Sequence, residues 1–477
     1  MSEDILKQIK GVSSDSRLIK KDYAYIAIRG ATFNGESFID EAIANGANYV
    51  IIQSNEELDK KDGVIFVYVD NPRQSLSCLA SAFYAPQPQN IVAITGTNGK
   101  TSTANFFMQL AHLINYKSAA IGTLGLTSLD SLTGLEQFLH HDSALTSPDS
   151  VTTNKILYNL AKENFTHVAL EASSHGLSQY RLDGINFKAA AFTNLSRDHL
   201  DYHGTMAAYF NAKKRLFSEI VNDKTVIVLN TDIPEFNELD RIVKERGLKS
   251  IEYGKNARDI RLLECKNNIL NFNFFGKAVK AEINLTGEFQ FYNMLCAVGL
   301  SVAAGLEEER ILKELSNLKL VPGRMEKVAS TKSNNDIYVD YAHTPDALSK
   351  VLGDLKQHCK GRLILVFGCG GDRDHGKREV MGIIAEKFTD IVIITDDNPR
   401  NEDPQTIRND VMRSMKNPIE IGDREEAIAY AISILKKDDN ILIAGKGHEE
   451  YQIIGDKKVP SSDKKIVVNI LGIVRHR

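Results

Sequence analysis

The hexapeptide Gly96, Thr97, Asn98, Gly99, Lys100, Thr101 follows the apolar run Ile91 to Thr95. It precedes a stretch in which Phe106, Leu110, Leu113 and Ile114 share one helical face. Strand, glycine loop and helix in that order make a cradle for anions. Glycines let backbone N–H groups turn inward, and a helix N-terminus favours negative charge. Lys100 can reach terminal phosphates, and the Thr101 hydroxyl can ligate magnesium. A plain glycine turn would not need Lys-Thr at its helical end. The general phosphate-loop pattern has glycine five positions before Gly99, where this chain has Ile94. The shorter form is characteristic of a narrower group, and ordinary GTPases and small-molecule kinases fit it poorly.

More polar residues stand where other apolar runs end: Glu171 after HVAL, Asn194 after AAAFT and Asn230 after VIVL. Ligands of doubly wound sheets bind outside the carboxyl ends of strands, so these groups are expected to converge on the loop. Glu171 is the candidate magnesium ligand, because magnesium prefers hard oxygen donors and keeps phosphates and waters besides. The segment NLSRDHLDYHG, Asn194 to Gly204, adds Asp198, His199, Asp201 and His203. Each has ligand chemistry, and spacing alone does not choose among them.

The elements that must hold these groups follow from the apolar pattern. A chain of 477 residues is long enough for about three domains, each with its own core. The prolines of FYAPQPQN and the Pro-Gly pair of VPGR mark the two connections. The division is 1–88, 89–321 and 322–477. In the middle segment the runs Ile91 to Thr95, Val168 to Glu171, Ala189 to Phe192 and Val226 to Leu229 alternate with helical stretches. The last segment repeats this with Ile337 to Val339, Leu363 to Phe367, Ile391 to Ile394 and Ile441 to Ile443, and an amphipathic stretch at Glu425 to Lys436. Two mainly parallel sheets in tandem are expected. The first 85 residues read as a smaller α/β domain whose topology the pattern does not give.

Bulk properties narrow the function. A net charge of -4 with intermixed signs argues against a nucleic-acid surface. The start lacks a signal-peptide run, and no stretch of about 18 apolar residues occurs, so a cytoplasmic protein without membrane insertion is expected. Cys78, Cys265, Cys296, Cys359 and Cys369 lack CxxC spacing, which points to reduced thiols.

The ordered set GTNGKT, LEASSHGL, TNLSRDHLDYHG, YFNAKKRLF, VPGRME, VDYAHTPDAL, FGCGGDRDHGKR, DDNPR and GKGHE closely resembles the Mur ligase family over nearly the whole chain. The resemblance implies an α/β fold of three domains. These are a small N-terminal domain holding UDP, a central P-loop ATPase-type parallel sheet, and a C-terminal Rossmann-like domain that closes over the amino acid. It implies ATP binding from Gly96 to Ser102, with Asn293 on adenine, Arg324 on the phosphates and Asp340 on the ribose. It makes Lys100, Glu171, His199 and Lys213 the catalytic set. Thr101, Glu171, His199 and Lys213 would hold two magnesium ions, with Lys213 carbamylated by carbon dioxide. A carbamate offers the oxygens that an ammonium lacks. Ser14, Ser16, Ala31, Thr32 and Phe33 match uridine-binding positions, and Thr146, Ser147, Ser173, Gln179 and Arg181 match positions around the muramoyl peptide. For the two serines, a cap or turn is an equally good reading.

In the last domain Arg373, Asp397, Asn398, Pro399, Arg400, Gly445 and Glu449 follow three strand ends. Diaminopimelate carries a second amine and a second carboxylate, so a pocket for it needs acidic and basic groups together. In this family DNPR accompanies diaminopimelate, and lysine-adding members carry another residue at the place of Arg400. The activity implied is ATP-dependent ligation of diaminopimelate to the D-glutamyl γ-carboxylate of UDP-N-acetylmuramoyl-L-alanyl-D-glutamate, a step of peptidoglycan precursor synthesis, through an acyl phosphate. A lysine-adding ligase, a folylpolyglutamate synthase-like ligase and a nucleotide-binding regulator without turnover are the alternatives. A monomer is expected.

Overall fold

The computed structural model describes residues 3–30, 33–53, 61–138, 145–266 and 268–472. Ala31 and Thr32 lie outside the described residues. Among the described residues three large sheets follow one another along the chain, with a two-stranded hairpin, Tyr451–Ile454 and Lys457–Pro460, near the end. The first has four parallel strands in sequence order, Gly11–Ser13, Tyr23–Ile26, Ala47–Ile52 and Ile65–Tyr68. Its helix Pro72–Phe83 has Asn71 as cap and proline in its first turn, where a missing N–H costs nothing. That helix also meets the middle domain, through Gln74 Nε2 to Asp183 Oδ1 at 3.0 Å and Ser81 Oγ to the Gly184 carbonyl at 2.8 Å.

The middle sheet has ten strands. At its heart Asn90–Thr95 lies between His167–Glu171 and Phe187–Phe192, all parallel, with Ile94 opposite both Glu171 and Ala191. Ile91, Val92, Ala93 and Ile94 are almost wholly buried because helices cover both faces. Val226–Asn230 and Lys249–Gly254 extend the parallel part. Ile260–Lys266 joins Lys249–Gly254 in parallel, and Ile269–Phe274 and Lys277–Glu282 follow antiparallel at that edge, as Gly125–Thr127 does at the other. Helix Lys100–Leu113 is buried nearly all round, with Phe106 and Phe107 both at 0% exposure, rather than along one face. It packs beside helix Glu288–Ala303 on one face of the sheet, and Phe107, Met294, Leu295 and Val298 belong to one core. Burial of each such side chain contributes roughly 1.5–3 kcal/mol.

The last sheet has six strands. Asp336–Asp340, Asn440–Ala444, Leu363–Phe367 and Ile391–Ile394 run parallel in that spatial order, with Val339 and Val366 both opposite Ile443. Glu326–Ser330 closes one edge antiparallel. Helix Pro345–His358 begins with Thr344 as cap and buries Leu348, Val351, Leu352 and Leu355. Among the described residues no helix is long and apolar enough to cross a membrane.

Candidate active site

The carboxyl ends of the middle and last sheets line one cleft of about 610 Å³. From the middle sheet come Thr97 to Ser102, Glu171, Asn194 and Asn230, and from the last Asp340, Gly368, Asp397, Asn398, Arg400 and Gly445.

The loop after Asn90–Thr95 turns into helix Lys100–Leu113 through Gly99, whose φ is 86°. A Cβ there would meet Asn293 Oδ1 at 2.2 Å, so only glycine lets the backbone lie this close to the second helix. Asn293 itself is buried and donates to Gln290 Oε1 at 3.1 Å. Asn98 is tied to a neighbouring strand end and to the last domain. Its N–H donates to Asn194 Oδ1 at 3.0 Å and its amide reaches Asp346 of the last domain at 2.9 Å. Lys100 Nζ donates to the carbonyls of Gly96 and Thr97 at 3.0 and 2.8 Å. Burial lowers its pKa, Glu171 and Asp198 oppose that, and Arg324 adds to it.

Glu171 ends its strand buried, and its carboxylate collects oxygen and nitrogen donors. Thr101 Oγ1 lies 3.0 Å from Oε2, Thr123 Oγ1 3.1 Å from Oε2, and the Thr123 N–H 2.9 Å from Oε1. Arg324 donates to Thr101 Oγ1 at 3.2 Å and lies over the Tyr341 ring at 4.3 Å. Asp340 lines the cleft, yet its two oxygens accept the backbone N–H groups of Met325 and Ala342 at 2.6 and 2.7 Å. Burial raises its pKa, against the pull of Arg324.

Lys213, on helix Met206–Arg215, is 1% exposed and donates to the Gly96 carbonyl at 2.6 Å. Desolvation first, then the neighbouring Lys100 charge, hold its pKa well below that of a free lysine. His199 caps the short helix Leu200–His203 with φ 54°. Burial pushes its pKa down to about 3 against the pull of Asp198. Among the described residues no three His, Cys, Asp or Glu side chains group as a metal cage. The donors present are the hard oxygens of Glu171 and Thr101, with His199 beside them. That sparse set fits magnesium, which takes its remaining places from phosphates and water.

Ser147, Ser173, Gln179 and Arg181 form one hydrogen-bonded chain, and Thr146 adjoins it in sequence. Ser147 Oγ donates to the Glu171 carbonyl at 2.7 Å and accepts the Ser173 N–H at 2.9 Å. Arg181 donates to the Ser147 carbonyl at 2.7 Å and to Gln179 Oε1 at 2.6 Å. Thr123 Oγ1 reaches Thr146 Oγ1 at 3.3 Å, which joins this group to Glu171. Thr146 alone of the five lines the cleft.

In the last domain Arg400 has φ 51° and donates to the carbonyls of Gly371 and Asn398 at 2.9 and 3.4 Å. Burial and then the Arg373 charge lower its pKa. Asn398 Nδ2 donates to Glu449 Oε2 at 3.0 Å. Pro399 is buried under Gly371, and the cleft wall here is Arg373, Asp397, Asn398, Arg400, Gly445 and Glu449. Ser14, Ser16 and Phe33 stand apart, beyond the carboxyl ends of the first two strands of the N-terminal sheet. Ser14 is exposed, Ser16 donates to Glu41 Oε2 at 2.7 Å, and Phe33 is 71% exposed.

Spacing did not single out the groups that meet Asp198 across the cleft. His343 lies 3.6 Å and Lys377 3.7 Å from its carboxylate, and Arg197 pairs bidentately with Asp374 at 2.8 and 2.9 Å. Burial raises the Asp198 pKa, but the His343 hydrogen bond and the Lys377 and His199 charges overcome it and hold the carboxyl well below its ordinary value. The signal available was that VDYAHTP and GDRDHGK each follow a strand of the last sheet.

Residues 8–84, 94–301 and 323–447 match the family models for the Mur ligase family catalytic domain, the Mur ligase middle domain and the Mur ligase glutamate ligase domain. The UDP-N-acetylmuramoyl-L-alanyl-D-glutamate--2,6-diaminopimelate ligase of Agrobacterium fabrum is 42% identical over 468 residues, 97% of this chain and 93% of that protein. A solved structure of a ligase with the same name superposes with a TM-score of 0.69 at 32% identity, over 97% of this chain and 95% of that one. Mycobacterium tuberculosis folylpolyglutamate synthase shares the fold, with a TM-score of 0.64 at 19% identity over 78% of this chain and 92% of that one. With all three family models matched in order and a relative 42% identical over nearly its whole length, the chain belongs to the Mur ligase family.

Proposed function

We propose that this chain is an ATP-dependent ligase that joins diaminopimelate to the D-glutamyl γ-carboxylate of UDP-N-acetylmuramoyl-L-alanyl-D-glutamate, releasing ADP and phosphate. The observation that carries the reading is the shared cleft, in which a phosphate-binding loop faces a pocket holding Arg373, Arg400, Asp397 and Glu449. A carboxylate is a poor electrophile, so the amide needs activation before the amine arrives. The γ-carboxylate oxygen attacks the γ-phosphorus of ATP, and the bond to ADP breaks. The amine of diaminopimelate then attacks the acyl carbon of the resulting acyl phosphate. The tetrahedral intermediate loses phosphate and a proton, leaving the amide.

Each wall of the cleft has its part. The amides of Gly96 to Ser102 and the Lys100 ammonium hold the triphosphate, and Arg324 offsets charge at the transferring group. Asn293 and Asp340 take the adenosine end. Glu171, Thr101, His199 and a carbamylated Lys213 would hold magnesium, which supplies charge neutralisation at the phosphoryl group. A depressed lysine pKa supports the carbamate, since only the neutral amine adds carbon dioxide. The Thr146 to Arg181 chain, next to Glu171, receives the muramoyl peptide. Ser14, Ser16 and Ala31 to Phe33 receive UDP. Arg400, half-buried, selects the distal carboxylate of diaminopimelate, because lysine would leave it unpaired.

Phosphate release with ATP, magnesium and the UDP-muramoyl dipeptide tests this when diaminopimelate is compared with lysine. Release that depends on diaminopimelate is expected. Equal release with lysine would remove the specificity, and no release with either amino acid would remove the ligase reading.

A further inference from the structure

Lys446 stands two residues beyond the strand Asn440–Ala444, and none of its side chain is exposed. A lysine ammonium has three N–H donors and no acceptor. Here all three are engaged, by Asn398 Oδ1 at 3.3 Å, Glu449 Oε2 at 3.1 Å and the Tyr451 carbonyl. No donor is left for a phosphate or a substrate carboxylate. Asn398, Glu449 and Tyr451 line the cleft, and Lys446 lies behind them.

The contacts close into a triangle, because Asn398 Nδ2 also donates to Glu449 Oε2, at 3.0 Å. The Ile453 N–H adds a second donor to Asn398 Oδ1 at 2.9 Å. Donors on Oδ1 and an acceptor at Nδ2 fix which way round the amide lies. Two bonds on Glu449 Oε2 commit that oxygen to the protein, and among the described residues Oε1 has no hydrogen-bond partner. Without the ammonium, a partly buried carboxylate would lose its cation, and the Asn398 amide would lose one of the partners that orient it.

We propose that Lys446 is a positioning residue for amino-acid selection, locking Asn398 and Glu449 so that one Glu449 oxygen meets an amino group of the incoming diamino acid. This rests on the reading of the pocket as the diaminopimelate site. The phosphates of the nucleotide are held by the loop of the other sheet, and the Lys446 partners Asn398, Glu449 and Tyr451 are none of the residues assigned to it, so loss of the lock affects one substrate and spares the other.

The test is Lys446→Met, with Lys446→Gln as a second variant that keeps two N–H donors without charge. Steady-state phosphate release is measured against diaminopimelate and, separately, ATP. In Lys446→Met the KM for diaminopimelate rises about tenfold or more, since a charged acceptor has lost its buried partner. The KM for ATP stays within about twofold, the signature of loss confined to one substrate. Lys446→Gln falls between wild type and Lys446→Met. An unchanged diaminopimelate KM, or both KM values rising together, overturns the proposal. So does loss of ATP binding by calorimetry in both variants, which would assign Lys446 to folding. Wild-type enzyme that releases no phosphate with diaminopimelate would instead overturn the pocket reading, and the two failures are thereby distinct.

Discussion

Two buried lysines, Lys213 and Lys446, lie behind opposite walls of one cleft and differ in what surrounds them. Lys213 has one carbonyl as its hydrogen-bond partner and the Lys100 cation nearby, and its pKa is driven well down. Lys446 has a carboxylate, an amide oxygen and a carbonyl, one for each proton. Burial is the same in kind, and the partners decide the chemistry. An under-paired amine is a nucleophile held ready for modification, whereas a saturated ammonium is a strut. On the proposed function, the phosphate end of the cleft changes charge and the amino-acid end keeps one arrangement.

The largest expected effect breaks the first half of this contrast. Lys213→Ala should lower turnover by at least about 10³-fold, through loss of a ligand to the metal that offsets phosphoryl charge. Millimolar short-chain carboxylates should restore part of it in the same phosphate-release assay. Full activity in the variant would dismiss Lys213 from the chemistry.

A third buried base sharpens the rule away from the cleft. His167 is 3% exposed, with only the neutral partners Asn90 and Thr166, and burial lowers its pKa to about 4. The folded state therefore binds fewer protons than the unfolded one between the unfolded value of 6.5 and about 4. Stability from this site is full above pH 6.5 and declines as pH falls toward about 4. The loss is at most about 3 kcal/mol, at roughly 1.4 kcal/mol per pH unit. Urea melts at pH 7 and pH 5 should show a decline that His167→Gln reduces, and an equal decline in both proteins would refute the assignment.

Arg400→Met should narrow the preference for diaminopimelate over lysine by about 30-fold in kcat/KM, because a half-buried guanidinium no longer penalises the missing carboxylate. An unaltered ratio would move selection elsewhere. The smallest effect is across the cleft. Arg197 is 45% exposed on its side of the Asp374 pair, so Arg197→Ala should raise the diaminopimelate KM by no more than about threefold. That change should shrink further in high salt.

Strands were legible where burial makes them continuous apolar runs. Ile91 to Thr95 and Leu363 to Phe367 are buried on both faces, so their text needs no alternation. The additions at the sheet edges were not. Ser118–Gly122, next to the edge, is small apart from Ile121, and Lys277–Glu282 reads KAVKAE because an edge strand faces water. The glycine loop was legible because strand, loop and helix are consecutive. Lys213 sits in a helix text that reads as a charged surface, and only the family motif raised it. His343 and Lys377 lay within quoted motifs without a role, since Asp198 brings them together from 145 and 179 residues away in the chain. Lys446 gives no signal between Gly445 and Glu449 in the sequence, because saturation of its three donors is a property of the fold.

The most direct measurement follows oxygen. With ¹⁸O placed in the D-glutamyl γ-carboxylate, activation by ATP followed by amine attack predicts one ¹⁸O atom in each phosphate released. Phosphate free of label, with the amide formed at the same rate, would contradict an acyl phosphate.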